Sequence, residues 1–242
     1  MRSEVKALLL AAGYGTRLKP ITDETPKCLI EIGGLTMLGR WIKKLEEISC
    51  TEAIVNTHYL ANKVSNFLSS YGGLSFPVIQ RYENELLGTA GTLLANKEFF
   101  RDSTVIMVHV DNISDVSLNW LLRKHNTRPR DCLLTMLTFE TSTPESCGIV
   151  ECDKSGVVIN FHEKSTEDHG NRANGAVYVF DHTLIQQISK MGNDISDFSI
   201  DVLPKLVGRI YSAYWSGQFL DMGTPASLKK AREIWADQGE VA

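Results

Sequence analysis

Short apolar runs alternate with amphipathic helical patterns along roughly the first 140 residues. The apolar runs of strand length are Val5–Ala11 and residues 52–59, 76–82, 103–110 and 131–139. The segments between them that repeat apolar residues at helical spacing are residues 36–48, 61–71, 88–100 and 117–126. A chain that alternates strands and helices forms a mostly parallel sheet with helices on its faces. We therefore expect an α/β fold, a Rossmann-like three-layer α/β/α sandwich with a mixed, mostly parallel central sheet.

The clearest helical pattern is the segment TMLGRWIKKLEEI, residues 36–48. Its apolar residues on one face are Leu38, Trp41, Ile42, Leu45 and Ile48. Thr36 precedes them and is predicted to be the N-cap, because a threonine oxygen can accept a bond from the first free backbone N–H groups. At the other end of the chain, Thr224 and Pro225 predict the start of a helix over residues 224–235 in the same way.

The pattern changes after residue 145. Three short strand-like runs, residues 148–153, 157–164 and 175–181, follow one another, and the first two are separated by a Lys-Ser-Gly turn. This series of short strand-like runs predicts a small β-rich lobe. No repeat, low-complexity linker or clear boundary divides the chain, so we expect a single domain over residues 1–242.

Composition excludes several classes of protein. There is no run of about 18 uncharged apolar residues, so no membrane span is expected. Glu4 and Lys6 precede only a short apolar run, which reads as a core strand and not as a signal peptide. The net charge of −4 gives no general attraction to nucleic acid. Five cysteines without a C-x-x-C spacing indicate reduced thiols. We expect a cytoplasmic protein with neither a membrane nor a nucleic-acid partner.

A glycine-containing loop follows the first strand, and three kinds of phosphate-binding loop compete to explain it. A P-loop requires Gly-Lys-Ser/Thr where Leu18, Lys19 and Pro20 stand. A dinucleotide-binding loop requires a third glycine at position 18, followed by a helix, but Leu18 stands there and two prolines follow it. The remaining option is an extended loop in which backbone N–H groups wrap phosphate. Arg17 and the proline-flanked Lys27 would supply two cations to it, as suits a triphosphate.

The whole stretch LAAGYGTRLKPITDETPK, residues 10–27, closely resembles the signature of the sugar-1-phosphate nucleotidyltransferases, the sugar nucleotide pyrophosphorylases. Further similarities follow in order along the chain. LLGTAGTL (residues 86–93) resembles the nucleobase-binding segment, and CGIVECD, HEK and NGAVYVF resemble the sugar-phosphate elements. Asp111 stands at the end of an apolar strand, where the family has a metal-binding aspartate, and FLDMGTP supplies a second one, Asp221.

The resemblance implies a role for each matching residue. Arg17, Lys27, Asp111 and Lys164 would be catalytic. The nucleotide would contact Leu10, Ala11, Ala12, Gly13, Gly15, Thr16, Gln80, Leu87, Gly88, Thr89 and Ala90. The sugar phosphate would contact Asn112, Gly148, Glu163, Lys164 and Asn174. Asp111 and Asp221 would hold Mg²⁺. On this view residues 1–140 are mainly nucleotide-binding, residues 141–224 form the sugar-phosphate lobe, and residues 225–242 are a C-terminal helix.

The implied reaction transfers a nucleotidyl group from a nucleoside triphosphate to a sugar 1-phosphate, and pyrophosphate leaves. The LGTAG segment looks most similar to members that use GTP with mannose- or heptose-type phosphates, while UTP, dTTP and CTP users carry close variants. A homo-oligomer is compatible with the resemblance, and an additional β-helix domain is not expected. Val110 replaces the glycine that usually precedes the metal aspartate, which motivates one alternative: a non-catalytic homologue that binds nucleotide or sugar phosphate and regulates a partner.

Overall fold

The computed structural model of the protein describes residues 4–192 and 194–236. Within these residues the chain forms seven α-helices. They are α1 (Ile21–Glu24), α2 (Met37–Glu46), α3 (Ala61–Ser70), α4 (Thr89–Ala95), α5 (Leu118–Asn126), α6 (His182–Ile188) and α7 (Pro225–Ile234). None of the helices formed by these residues has both the length and the apolar character needed to cross a membrane.

The same residues form thirteen β-strands. They are β1 (Glu4–Leu10), β2 (Glu31–Ile32), β3 (Leu35–Thr36), β4 (Glu52–Thr57), β5 (Val78–Tyr82), β6 (Ser103–His109), β7 (Asn112–Ser114), β8 (Leu134–Glu140), β9 (Gly148–Cys152), β10 (Val158–Glu163), β11 (Arg172–Asp181), β12 (Ile210–Tyr214) and β13 (Phe219–Asp221). The prediction of an α/β fold with a mixed sheet of mainly parallel strands and helices is confirmed.

The chain divides into two compact units, and strands β1 and β6 each contribute residues to both. The glycine-loop unit comprises residues 7–86, 108–115 and 218–236. The β-lobe unit comprises residues 4–6, 87–107 and 116–217.

The glycine-loop unit is built on the strand order β1-β4-β5, in which β4 and β5 are parallel from Ala53↔Val78 to Thr57↔Tyr82. Helix α2 follows the β2–β3 hairpin. The Thr36 hydroxyl accepts a hydrogen bond from the Gly39 N–H, as the capping pattern predicts. The apolar face of α2 is buried, including Trp41 at 1% exposure. Helix α7 begins with a capping box between Thr224 and Ser227.

The β-lobe unit is mainly antiparallel. Strand β9 lies between β10 and β11, and β8 pairs antiparallel with β11 and parallel with β12. Antiparallel neighbours need only short connections, which explains why three strand-like runs follow one another closely in the sequence. Strand β11 carries a register shift between Asn174 and Tyr178, where Ala176 adopts a left-handed φ of 49°. Within this bulge the Ala176 N–H donates a 2.9 Å hydrogen bond to Asn174 Oδ1, which helps to orient the Asn174 side chain.

The structure differs from the sequence-based expectation after the glycine loop and limits it at the C-terminus. The residues after the glycines are not an extended loop: they form two 3₁₀ turns, Thr16–Leu18 and Lys27–Leu29, with the one-turn helix α1 between them. Pro20 accounts for this, since proline is favourable immediately before or at the first helical turn although it cannot occupy a helix interior. The predicted C-terminal helix ends at Ile234, and residues 237–242 of that prediction lie outside the described residues.

Candidate active site

The loop after β1 is held in shape from two sides. The Ala11 N–H donates a 2.7 Å hydrogen bond to Asn56 Oδ1 on β4, which fixes the start of the loop. Gly15 has a φ of +66°, and a Cβ there would lie 2.8 Å from Thr22 Cγ2. The buried Thr22 hydroxyl also donates to the Gly15 carbonyl at 2.9 Å. Gly15 is therefore required both by its backbone conformation and by close packing.

Gly13, unlike Gly15, lies where the loop is open to solvent. Among the described residues, no atom other than those of Gly13 and its two chain neighbours lies within 4 Å of the position that its Cβ would take, and both Gly13 and Thr16 are exposed. The backbone on this side of the loop is accessible to a ligand. Leu10 and Ala11 are partly exposed and Ala12 is buried, so the exposed backbone of the loop begins at Gly13.

Arg17 lies exposed on the first 3₁₀ turn, against the backbone of Gly223. A Cβ at Gly223 would lie 2.8 Å from Arg17 Nη2 and 3.1 Å from Cζ. Gly223 therefore makes room for the guanidinium. Gly223 lies in the segment FLDMGTP, two residues after Asp221, but the sequence analysis assigned it no role.

Lys27 is the best-anchored cation of the loop. Its side chain is only 12% exposed. Its Nζ lies 2.5 Å from Asp111 Oδ2 and 3.9 Å from Asp221 Oδ1. The lysine ammonium is thus shared between the two carboxylates that were predicted to hold a metal.

The two carboxylates are brought together by backbone pairing. Strands β7 and β13 are antiparallel, and their register places Asp221 opposite Asn112, the residue after Asp111. The Met222 N–H donates to the Asp111 carbonyl at 3.0 Å, and the buried Trp41 indole N–H donates to the Asn112 carbonyl at 2.9 Å. Asn112 is itself buried, so it contributes to this support.

The environments of the two carboxylates push their pKa values apart. Burial alone would raise the pKa of Asp111, but the charges of Lys27 and His109 and the hydrogen bond from Lys27 together lower it. Partial burial raises the pKa of Asp221, the negative charge of Asp111 adds to this, and Lys27 and Arg17 offset only part of it. Two adjacent carboxylates stay ionised together most easily when a cation lies between them.

This donor set fits a divalent metal ion. Mg²⁺ prefers carboxylate and phosphate oxygens to nitrogen ligands and is usually held by one or two carboxylates plus substrate phosphates. Asp111 and Asp221 supply the carboxylates, and both keep exposed surface toward a ligand, 36% for the Asp111 side chain. The Lys27 ammonium shows that the position favours positive charge.

Val110, which replaces the expected glycine, does not crowd this exposed face. Its side chain is fully buried, whereas the neighbouring Asp111 carboxylate is partly exposed. Its N–H donates to the Leu10 carbonyl at 3.1 Å. The extra bulk of valine therefore packs into the apolar core.

An aromatic cluster that sequence reasoning missed lies beside the glycine loop. The exposed Tyr14 contacts His58 edge-on, with its hydroxyl 2.9 Å from His58 Nε2, and His58 stacks near Tyr82.

On β5, Gln80 Nε2 donates to Thr57 Oγ1 at 2.9 Å and to the Ala61 carbonyl at 3.0 Å. The Gln80 amide is therefore fixed in one orientation.

The segment Leu87–Ala90 belongs to the β-lobe unit and begins α4. Gly88 has a φ of +76°, and a Cβ there would collide with the Ser196 carbonyl. That carbonyl accepts hydrogen bonds from the Ala90 and Gly91 N–H groups. The Thr89 hydroxyl accepts a 2.7 Å hydrogen bond from the Phe198 N–H. Leu87 and Gly88 are exposed, whereas Ala90 is buried.

The predicted sugar-phosphate residues of the β-lobe unit lie on β9, β10 and β11. Glu163 lies opposite Gly148 in the β9–β10 register, and a Cβ at Gly148 would lie 2.7 Å from Glu163 Oε2. Lys164 is 67% exposed, and its Nζ lies 3.7 Å from Glu163 Oε1. Burial raises the pKa of Glu163, which Lys164 partly offsets. Asn174 donates to the Tyr178 hydroxyl at 2.8 Å.

Within the glycine-loop unit, the structure therefore brings together four predicted residues that are far apart in sequence: Arg17, Lys27, Asp111 and Asp221. Asn112 and the glycine loop adjoin them. Gln80 also belongs to the glycine-loop unit, whereas the predicted residues Leu87–Ala90 and those of residues 148–174 belong to the β-lobe unit. Thr22 and Gly223 lie within the two quoted motif segments but received no role there, and Asn56 lies outside every motif that the sequence analysis identified.

An α/β unit with a glycine loop, two cations and two carboxylates has the features of proteins that bind phosphorylated ligands. Comparison with known proteins makes the class specific. A family model described as Nucleotidyl transferase matches residues 6–238, and the chain belongs to this family.

Curated relatives carry more specific names. The chain is 31% identical over 230 residues to a mannose-1-phosphate guanyltransferase of Pichia angusta, covering 91% of this chain and 61% of that protein. It is 28% identical over 225 residues to the mannose-1-phosphate guanylyltransferase catalytic subunit beta of Drosophila pseudoobscura pseudoobscura, covering 91% and 59%. The chain thus spans about three-fifths of the length of these relatives.

A solved structure shares the fold. The crystal structure of a Bacillus anthracis protein, provisionally named a glucose-1-phosphate thymidylyltransferase and in complex with a sucrose, aligns with a TM-score of 0.86 at 22% identity. The alignment covers 98% of this chain and 96% of that one.

Proposed function

We propose that this protein transfers a nucleotidyl group from a nucleoside triphosphate, with GTP favoured, to a sugar 1-phosphate, and releases an NDP-sugar and pyrophosphate. The observation that carries the proposal is the Lys27 ammonium shared between Asp111 and Asp221, next to an accessible glycine loop. The names of the curated relatives support GTP and mannose 1-phosphate as the first pair to test. UTP, dTTP or CTP with another sugar phosphate is the alternative for the same chemistry.

The chemistry requires little from the protein beyond position and charge. An oxygen of the sugar phosphate attacks the α-phosphorus in line, a P–O bond forms to it, and the bond between the α-phosphorus and the bridging oxygen to the β-phosphorus breaks. The attacking oxygen is already ionised, so no protein nucleophile or general base is needed. The barrier comes largely from bringing two anions together, which fixed cations reduce.

The residues of the glycine-loop unit would divide this task. The backbone of Gly13, Gly15 and Thr16 would bind the nucleotide, and Arg17 would neutralise the β- and γ-phosphates with its planar donors. Lys27 would hold the donor and acceptor phosphates together. Its burial supports this role, because a fixed charge loses less conformational entropy when the ligand binds.

Asp111 and Asp221 would hold Mg²⁺. When bound, the metal neutralises phosphate charge and orients the phosphate oxygens. In the β-lobe unit, the residues that would bind the sugar phosphate are Gly148, Glu163, Lys164 and Asn174. Asn112, which follows Asp111 in the sequence, has the same proposed role.

The fixed orientation of Gln80 bears on the base. Because its Nε2 already donates twice within the protein, its Oε1 is the atom that it would offer to a ligand. A carbonyl acceptor suits a base edge that donates, such as guanine N1–H and N2–H. Uracil and thymine N3–H and the amino groups of adenine and cytosine suit the same acceptor, so the preference for guanine rests on the names of the relatives and is tested by the assay below.

The test is a pyrophosphate-release assay on the purified full chain with Mg²⁺. Each of GTP, UTP, dTTP, CTP and ATP is paired with mannose 1-phosphate, glucose 1-phosphate and a heptose 1-phosphate. We expect turnover with one triphosphate well above the others, and GTP as that triphosphate. The expected product is confirmed by mass spectrometry, and EDTA should abolish turnover.

Two unexpected results of this assay would lead to different conclusions about the proposed function. Turnover with another triphosphate would keep the chemistry and reject guanine. Binding of nucleotide without turnover in any pair would reject the proposal in favour of a regulatory homologue, which the buried position of Val110 does not favour.

We further propose that the protein acts in the cytoplasm, as a homo-oligomer, and without a nucleic-acid or membrane partner. Light scattering coupled to size-exclusion chromatography tests the oligomeric state; a single monomeric peak at assay concentration would reject it.

A further inference from the structure

Three side chains outside the site described above converge in the β-lobe unit. They are Glu151 on β9, His162 on β10 and His169 between β10 and β11. One ligand atom of each lies within 4.8 Å of the others. His162 Nε2 lies 2.8 Å from Glu151 Oε1, and His169 Nδ1 lies 3.8 Å from the same oxygen.

Neighbouring residues orient these ligand atoms. The β9–β10 register pairs Glu151 with Asn160, so His162, two residues further along, lies on the same face of the sheet. Asn160 Nδ2 donates to Glu151 Oε2 at 3.0 Å, which leaves Oε1 toward the histidines. His169 Nε2 lies 3.1 Å from Ser165 Oγ, which leaves Nδ1 toward Glu151. Metal-binding histidines and carboxylates are commonly held through their second polar atom in this way.

The donor set selects the kind of ion. Two imidazole nitrogens and one carboxylate oxygen form a ligand combination typical of Zn²⁺, whereas Mg²⁺ prefers oxygen ligands. Tetrahedral coordination with bonds of about 2.0–2.1 Å places ligand atoms about 3.3–3.5 Å apart. The two observed separations from Glu151 Oε1, 2.8 and 3.8 Å, lie on either side of that range.

The two imidazole rings are close and partly shielded from water. Their centroids are 3.5 Å apart with an interplanar angle of 3°, and the His169 side chain is 17% exposed. An ion cannot lie in the planes of two parallel stacked rings at the same time, so ion binding requires the rings to tilt toward each other. His169 belongs to a connection between strands, where a side-chain rotation does not disturb the β9–β10 ladder.

We infer that Glu151, His162 and His169 form a binding site for a borderline transition-metal ion, with Zn²⁺ the favoured ion. The ion would join residues 165–170 to the β9–β10 hairpin, immediately after Lys164. The site uses different residues and a different donor chemistry from the Asp111–Asp221 pair. An experiment that rejects the proposed transferase activity would therefore not reject this site, and the reverse also holds.

Cobalt spectroscopy on the full chain, with its affinity tag removed, tests the site. Excess Mg²⁺ is kept in the buffer, Co²⁺ is added by equilibrium dialysis, and the visible d–d absorption is measured. We expect one equivalent of Co²⁺ with the absorption of a four- or five-coordinate ion, and loss of that absorption when Zn²⁺ is added. His162→Ala and His169→Ala should each weaken Co²⁺ binding at least about 100-fold, as loss of a direct ligand exceeds that of a supporting residue.

The controls separate this site from other ions and from misfolding. His182→Ala removes a histidine elsewhere in the unit and should keep the spectrum, and Asp111→Asn should keep it as well. Circular dichroism checks the fold of each variant, and His169→Gln provides a second, polar replacement in the connecting segment. Absence of the d–d band, or a band that survives both His162→Ala and His169→Ala, would overturn the inference.

Discussion

The two lysines predicted to contact phosphate are held in opposite ways. Lys27, in the glycine-loop unit, is 12% exposed and lies between two carboxylates. Lys164, in the β-lobe unit, is 67% exposed, and its Nζ lies 3.7 Å from Glu163 Oε1. A cation that is fixed before the ligand arrives can stabilise a transition state directly, whereas a mobile lysine loses about 0.5–1.5 kcal/mol of side-chain freedom when it binds. We therefore expect Lys27 to govern the rate and Lys164 to govern sugar-phosphate affinity.

The largest effect should come from Asp111→Asn. Removal of this charge eliminates one of two carboxylates at the proposed metal position, and kcat should fall at least about 10³-fold. Pyrophosphate release at saturating substrates measures the loss. Asp131→Asn, a change at an exposed aspartate of the β-lobe unit, is the control and should leave kcat unchanged. Near-normal turnover in Asp111→Asn would refute the metal assignment.

Lys27→Ala should lower kcat by about 10²–10³, the usual cost of losing one fixed group that stabilises transition-state charge. The KM for the sugar phosphate should change much less. Steady-state kinetics with each substrate varied separates the two constants. Lys190→Ala removes an exposed lysine elsewhere and serves as control. A change confined to KM would contradict the distinction between the two lysines.

Gly148→Ala tests how tightly the β-lobe unit is packed. The added Cβ would lie 2.7 Å from both Glu163 Oε2 and the Phe161 ring, so the free energy of unfolding should fall by about 1–3 kcal/mol. Urea denaturation measures it. Gly72→Ala places a Cβ where the described part of the chain, apart from Gly72 and its two neighbours in sequence, has no atom within 4 Å, and it should cost less than about 0.5 kcal/mol. Equal stability of the two variants would show that the Glu163 and Phe161 side chains can both move aside freely.

Lys164→Ala should raise the KM for the sugar phosphate about tenfold, an apparent loss of about 1.4 kcal/mol, and leave kcat within about threefold. The measurement is the same kinetic series, and Lys154→Ala, at an exposed turn of this unit, is the matched control. A kcat loss as large as that of Lys27→Ala would show that exposure in the free protein does not predict the role.

The smallest effect concerns acid stability of the β-lobe unit. The His125 imidazole, whose Nε2 lies 3.6 Å from Asp181 Oδ2, outweighs partial burial together with hydrogen bonds from Thr104 and Arg128, and the pKa of Asp181 falls to about 2. Because this lies below the unfolded value of about 3.9, the stabilisation is complete above pH 4 and lost as the pH falls toward 2. Asp181 is 41% exposed, so solvent screening limits it to about 1 kcal/mol.

Asp181→Asn should therefore be less stable than the natural protein at pH 7, and the difference should vanish near pH 2. Denaturation curves at several pH values measure the difference, with Asp131→Asn as control. A difference that grows on acidification would have the wrong sign and would reject the explanation.

Local patterns predicted most of the elements. Helix α2 begins after the Thr36 cap, and helix α7 begins after Thr224, because capping and apolar spacing act over only a few residues. The same reasoning did not find the short turns between Arg17 and Lys27. It also did not find the role of residues 196–198, which hold the start of α4 through backbone bonds. Contacts of this kind join segments that share no local pattern.

The sequence by itself determined the α/β class, the glycine loop and the family, because periodicity and a contiguous motif are properties of neighbouring residues. Only the tertiary structure decided that Lys27 would lie between Asp111 and Asp221, that Gly223 would make room for Arg17, and that His162 and His169 would meet at Glu151. The physical reason is that strand register and loop packing determine which distant side chains meet, and neither is encoded within a single segment.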